Sequence, residues 1–380
     1  MSVLLLARLG DLGGAPAFEG GGESTGIWRV PAMPGYLFKR YTAEVARTVD
    51  AHRLDQLAAQ PAALHGGTDR ALARSVAWPH ARVVDAARRT VGVVIPEVPD
   101  RFLVTWRSPR ARAGDPDNHT PLYVDYLAQP NWYLSERGIP EQGAADRVAL
   151  CSALAGVAAL LERCGIVYAD WSYSNAFWHP VDHTVFLIDV DGASYGSRPY
   201  VQTVNFDDPL TPPGRPVDTY TDRYRAALLI ARCLTARREV GEVLTALRVM
   251  SGAPPAVLLA ILTARDRTAR PGLTALADAF GAAVPAGSAS RGAGAVDATG
   301  VLRWEPVRSR ESGRARVGGA ATGRVGVTVG GAGRPPGIPP TVPGPGPKSD
   351  PVGPWVVLAA VVAVIAFVLV VVACGAAIVT

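Results

Sequence analysis

Apolar positions along this chain follow one period at the start, another in the middle, and none towards the end. In the first hundred residues they come in short runs bounded by turn residues. Residues 2–7 (SVLLLA), 27–30 and 36–39 read as strands. Residues 78–98 read as two more strands joined by a polar turn. Between these runs, residues 42–59 place Val45, Val49, Leu54 and Leu57 on one helical stripe. Residues 100–144 show no period and read as irregular. From residue 146 the period is helical. Residues 146–163 carry Val148, Leu150, Leu154, Val157, Leu160 and Leu161 on a broad face, the pattern of a core helix. A second helix is predicted over 219–234, with helical residues on to 247 and shorter helices over 255–264 and 273–280. Strands first and helices afterwards predict an α+β fold.

After residue 282 the apolar pattern disappears. Residues 283–353 are crowded with Gly, Pro and small residues, cannot bury a core, and read as a disordered linker. Residues 354–380 carry no charge. A helix over the last 26 of them, about 39 Å long at 1.5 Å per residue, exceeds the roughly 30 Å of a bilayer's hydrocarbon. This segment predicts one transmembrane helix, with nothing after it to form a further domain.

Charge sharpens that picture. The net charge is +5. Residues 283–353 hold nine basic and four acidic residues, and 9 − 4 = 5, so the remainder is neutral. Basic residues ahead of an apolar span place the linker and everything before it on the cytoplasmic side of the cell membrane. A neutral body with no basic face argues against nucleic acid as a partner. Four scattered cysteines suggest a reducing compartment, and six scattered histidines argue against a zinc site.

Candidate chemistry concentrates in residues 165–192. An apolar run ends at Asp170, a polar loop follows to Asn175, and a second apolar run (residues 185–188) ends at Asp189 and Asp191. Two strands that deliver acids and a loop that delivers an amide suit metal-bound phosphate chemistry: Asp170 to accept a hydroxyl proton, Asn175 and Asp189 to hold magnesium. Upstream, Gly20, Gly21 and Gly22 could bring backbone amides against phosphates. Lys39 follows on an apolar run. The chain has only two lysines, Lys39 and Lys348, against 36 arginines, so a lysine kept here points to a compact ammonium between phosphates.

With these motifs in order, the chain resembles the divergent bacterial Ser/Thr protein kinase-like family from about residue 19 to residue 280. The Ala77-Trp78-Pro79 run ahead of Val-Gly-x-x-Ile-Pro, the Asp-x-x-x-x-Asn loop and the Ile-Asp-x-Asp loop carry the resemblance. It implies a two-lobed protein-kinase-like fold, with a small β-rich lobe over 1–98 and a larger helical lobe over 99–282. ATP and magnesium (or manganese) would lie in the cleft. Asp170 and Lys39 match the catalytic residues, Gly20, Gly21 and Gly22 the phosphate-covering loop, Glu97 and Val98 the adenine-facing hinge. Asn175 and Asp189 match the metal ligands, Asp222 the acid that braces the catalytic loop, Arg270 the arginine that locks the lower lobe. The acid that pairs with Lys39 is open between Glu44, Asp50 and Asp55.

The departures matter. Tyr168-Ala169 stands where the family has His-Arg, Ser172 where it has a lysine, and no Ala-Pro-Glu element is evident near Asp207–Pro209. The resemblance implies a membrane-anchored Ser/Thr protein kinase acting on an unknown protein substrate. The alternatives are a catalytically weak or dead pseudokinase serving as a nucleotide-binding scaffold, and a small-molecule phosphotransferase.

Overall fold

The structure, a computed structural model, describes residues 3–13, 15–106 and 118–284. The predicted linker, apart from residues 283 and 284, and the predicted membrane helix lie outside the described residues.

The N-terminal part is a six-stranded sheet. Its strands are β1 (Val3–Leu5), β2 (Phe18–Glu19), β3 (Ser24–Arg29), β4 (Tyr36–Tyr41), β5 (Ala81–Val84) and β6 (Thr90–Pro96), ordered β1-β5-β6-β4-β3-β2. All neighbours are antiparallel except β1 and β5. Side chains alternate between faces along a strand. On β4, Phe38 packs with Leu9, Val30, Val83 and Val94, while Leu37 and Tyr41 join Leu54, Val93 and Ile95 on the other side. Lys39 shares the parity of Leu37 and Tyr41, so it lies on the helix-covered face.

Gly92 sets how closely β6 approaches β4. A Cβ there would sit 2.3 Å from the Lys39 carbonyl oxygen and 2.6 Å from the Phe38 ring. Gly92→Ala must push the two strands apart beside Lys39. We expect a loss of about 1–3 kcal/mol, read as a lower urea midpoint with an unchanged slope.

The helix predicted over 42–59 is two helices, α1 (Ala43–Thr48) and α2 (Ala51–Ala63). The break has a local cause: the Asp50 carboxylate accepts the His52 and Arg53 N–H groups and starts a new helix. A further helix, α3 (Gly67–Ala73), follows unpredicted. The region read as irregular also contains structure. It holds strands β7 (Leu103–Trp106) and β8 (Asn118–Tyr123), then helices α4 (Val124–Leu127) and α5 (Asn131–Ser135).

The helical part is built on α6 (Ala144–Arg163). Short strands β9 (Ile166–Val167), β10 (Ala176–Trp178) and β11 (Val185–Leu187) follow. Next come β12 (Ser194–Tyr195), β13 (Ser197–Arg198) and β14 (Val217–Asp218). The chain then forms α7 (Thr219–Thr235), α8 (Val240–Val249), α9 (Ala253–Leu262) and α10 (Leu273–Ala283). By length and composition α6 could cross a membrane, but it packs against α7 and α10 and supplies Leu150, Leu154 and Leu160 to the main core. Strands β11-β10-β8-β7 form a second sheet, and β12 pairs with β9. A β-sheet part followed by a helical part is the order of elements that the apolar periods predicted.

Candidate active site

Strand β9 leads into Tyr168-Ala169-Asp170. The Tyr168 and Ala169 N–H groups donate to the two carboxylate oxygens of Asp222, at 2.9 and 2.6 Å. Asp222 lies in the first turn of α7, but it does not cap it. Asp218 does, accepting from Tyr220 and Thr221. Burial pushes the Asp222 carboxyl up to about 6, against the pull of the two backbone donors. Arg225, one turn further along α7, is buried and donates to the Ala169 and Val201 carbonyls and to Thr203 Oγ1. A carboxylate and a guanidinium from one helix thus hold both sides of the Ala169 peptide. Ala169 has φ 67°, a left-handed conformation that non-glycine residues rarely adopt. Such backbone costs on the order of 1–3 kcal/mol and concentrates at functional sites.

Among the described residues the Asp170 carboxylate accepts one hydrogen bond, from Thr203 Oγ1 at 3.3 Å. Its carbonyl accepts from Asn175 Nδ2 at 2.9 Å, and the Asn175 carbonyl accepts from the Ile188 N–H, also at 2.9 Å. Asp189, the next residue, is left-handed as well, with φ 56°. Its Oδ1 accepts from Lys39 Nζ at 3.2 Å. A hydrogen-bonded path therefore runs from Asp170 through Asn175 and Ile188-Asp189 to Lys39.

None of the three acids considered for Lys39 pairs with it. Glu44 is exposed on α1, Asp50 caps α2, and Asp55 binds Arg82. Near the start of α2, Arg53 donates to the Asp191 carbonyl at 3.4 Å. The acid that pairs with Lys39 is Asp191, at 3.0 Å, together with Asp189. Asp191 is buried and also accepts from the Tyr41 hydroxyl at 2.9 Å. Burial alone would lower the Lys39 pKa; Asp191 and Asp189 outweigh it and raise it. Burial raises the Asp189 pKa, with Lys39 pulling the other way.

Gly20, Gly21 and Gly22 form the turn between β2 and β3. A Cβ on Gly20 would fall 2.3 Å from the Thr25 carbonyl carbon, and Gly22 has φ 55°. Glu97 and Val98 follow β6, where the resemblance implied a hinge. The Glu97 N–H is already donated to the Gly35 carbonyl at 2.8 Å, and its carboxylate binds Arg29. Of the two, only Val98 keeps an N–H without a backbone partner among the described residues. Its side chain packs beside Phe102, Phe177 and Phe186.

The donor set fits magnesium. Asn175 uses its amide nitrogen on Asp170, and its Oδ1, which takes a 3.5 Å contact from the Ser174 hydroxyl, keeps a lone pair as a hard oxygen donor. Asp189 uses one oxygen on Lys39 and is 40 % exposed, leaving Oδ2 for a cation. Asp191 is fully committed to Lys39 and Tyr41. One or two protein oxygens completed by phosphate and water is the usual form of a nucleotide-linked magnesium site.

Below the loop, Arg270 makes a two-pronged contact with Asp208 at 2.7 and 2.6 Å, both side chains buried. Asp208-Pro209 thus stands where no Ala-Pro-Glu element was found. On the far side of Asp170 a cleft of about 640 Å³ opens between Tyr123, Tyr133, Tyr173 and Thr203.

Comparisons with known proteins give no family. No family model matches the chain, and no curated protein matches it. Among solved structures, the chain is similar to the ROP18 kinase domain in complex with AMP-PNP and sucrose. The match is 15 % identical with a TM-score of 0.45, and it covers 70 % of this chain and 78 % of that one.

Proposed function

We propose that this chain is an ATP-dependent phosphotransferase that moves the γ-phosphate to Ser or Thr hydroxyls of a protein. The observation that carries the reading is the path from Asp170 through Asn175 and Asp189 to Lys39, which gathers residues 150 positions apart into one cleft. Lys39 supplies a permanent positive charge for phosphate oxygens. Asn175 Oδ1 and Asp189 Oδ2 would hold magnesium, which when bound offsets the phosphate charge. Asp170 lies between the nucleotide residues and the open cleft, where it orients a hydroxyl and takes its proton.

A second reading is favoured by one observation. Lys39 is held by two carboxylates at 3.2 and 3.0 Å, one of them buried, and Ser172 supplies no cation beside the transferring group. In that reading the chain binds nucleotide as a scaffold and transfers nothing. Incubating the full chain with labelled ATP and magnesium, alone and with a generic basic protein, separates the two. Label that appears on protein and disappears in Lys39→Ala supports the kinase; bound ATP without transfer supports the scaffold.

Residues 354–380 would anchor the protein in the cell membrane, with the catalytic part and the linker cytoplasmic. The full chain should then stay with membranes through an alkaline carbonate wash. A chain stopped at residue 353 should appear in the supernatant, and equal distribution of the two would contradict the anchor.

A further inference from the structure

The nucleotide residues are short of fixed positive charge. Three carboxylates, Asp170, Asp189 and Asp191, stand around one lysine, and two of them already hold it. A triphosphate calls for more cation than that, and Ser172 brings none.

Two guanidiniums lie beside the Asp189–Gly192 loop without an acid of their own. Arg53, on α2, gives Nη2 to the Asp191 carbonyl. Arg198, on β13, rests against Gly192: a Cβ there would come 3.3 Å from its Nη1 and 4.0 Å from its Nη2. The Nε atoms of both arginines are buried with no hydrogen-bond partner, and no carboxylate among the described residues reaches ion-pair distance of either. Like charges set together in a half-buried place are costly unless an anion joins them.

Arg198 is fixed from two sides. It stands opposite Val217 in the β13–β14 ladder, and β14 runs directly into α7, which carries the Asp222 brace. Just before it, β12 pairs with β9, the strand that leads to Asp170. Burial lowers the Arg198 pKa, Glu23, Asp170 and Asp222 raise it, and Arg53 lowers it further, as befits a cation set among these four charges. An arginine stays charged there.

Glu23 bounds the place from above. It follows Gly20, Gly21 and Gly22, and its Oε2 would lie 3.9 Å from the same Cβ on Gly192. Between that glycine turn and Asp170 is where a terminal phosphate must sit if Asp170 is to take the proton of the hydroxyl that attacks it. We propose that Arg198 binds the γ-phosphate of the nucleotide, with Arg53 adding charge behind it, and that the Glu23 carboxylate opposes the phosphate and gives way when it enters. The assignment rests on the nucleotide-binding half of the function proposed above. A planar guanidinium suits the task, since it offers two parallel N–H groups to two phosphate oxygens. Arg198 then discriminates a triphosphate from a diphosphate.

The test is calorimetric titration of AMP-PNP and of ADP, each with magnesium, into the full chain and into Arg198→Gln, Arg198→Lys and Glu23→Gln, with a thermal melt of every sample. AMP-PNP has the third phosphate and ADP lacks it. We expect Arg198→Gln to weaken AMP-PNP about tenfold or more and to leave ADP within about twofold. Arg198→Lys should fall between, because it keeps the charge and loses the fork. Glu23→Gln should tighten AMP-PNP roughly two- to fivefold, and ADP less. Equal loss of both nucleotides in Arg198→Gln, or loss of neither, would overturn the assignment and leave the nucleotide site standing. An AMP-PNP affinity that ignores Glu23→Gln would overturn the part given to Glu23. No binding of either nucleotide by the folded, unsubstituted chain would remove the nucleotide reading, and the role of Arg198 with it. Arg198-dependent preference for AMP-PNP in a chain that transfers no label upholds the γ-phosphate site within the scaffold reading.

Discussion

Asp170→Ala lowers the rate of γ-phosphate transfer by on the order of 10²–10⁴ and leaves the fold intact. The reason lies in which atoms of Asp170 the fold uses. Its carbonyl accepts from Asn175, and the peptide before it is held by Asp222 and Arg225. The carboxylate itself takes one 3.3 Å contact from Thr203. Removing it leaves the loop anchored and the nucleotide residues untouched, so the loss belongs in kcat, with KM for ATP little changed. Asp170→Asn should fall as far, because an amide keeps the shape but cannot accept the proton. Steady-state kinetics with thermal melts on the same samples check this; a fall of less than about fivefold would remove Asp170 from the chemistry.

Arg270→Met costs about 3–5 kcal/mol of stability, because it leaves the Asp208 carboxylate buried without its partner. In a domain of this size that is a fall in melting temperature of roughly 10 °C. Replacing both partners by apolar residues, Asp208→Leu with Arg270→Met, should recover most of the loss, since no charge is then stranded. The pH dependence has a definite sign. Burial tends to raise the Asp208 pKa, but the Arg270 hydrogen bond, the Leu210 N–H and the Arg270 charge bring it below the ordinary carboxylate value. A group depressed in the folded state contributes its stability above its unfolded pKa, and loses it as pH falls through the folded value. The gap between wild type and Arg270→Met should therefore be widest near neutrality and narrow below about pH 4. Urea denaturation at three pH values would show it; a gap that widens in acid would mean that the pair does not act as an ion pair.

What the sequence disclosed follows from how local each signal is. Lys39 stood out because a chain that uses arginine elsewhere keeps a lysine on that strand. Asp170, Asn175 and Asp189 were legible because one strand–loop–strand unit carries all three within twenty residues. The partner of Lys39 was not legible. Asp191 lies 152 positions from Lys39, and only the fold brings the two side chains together. Asp208 lay in the stretch where no Ala-Pro-Glu element was evident, and its pairing was not legible because Arg270 lies 62 positions on. Arg225 was hidden for another reason: on a helix pattern it reads as one more polar position, and only the fold brings it to the Ala169 carbonyl. Strands β7 and β8 gave no periodic signal because they are short and Pro121 interrupts the alternation.

The most direct measurement is calorimetric titration of AMP-PNP into the full chain, with magnesium and with EDTA, repeated on Lys39→Ala and Asp189→Asn. Binding is expected to be saturable, to weaken when magnesium is removed, to weaken in Asp189→Asn with magnesium present, and to be lost in Lys39→Ala. Absence of binding by a folded chain, or binding indifferent to Lys39, Asp189 and magnesium alike, would contradict it.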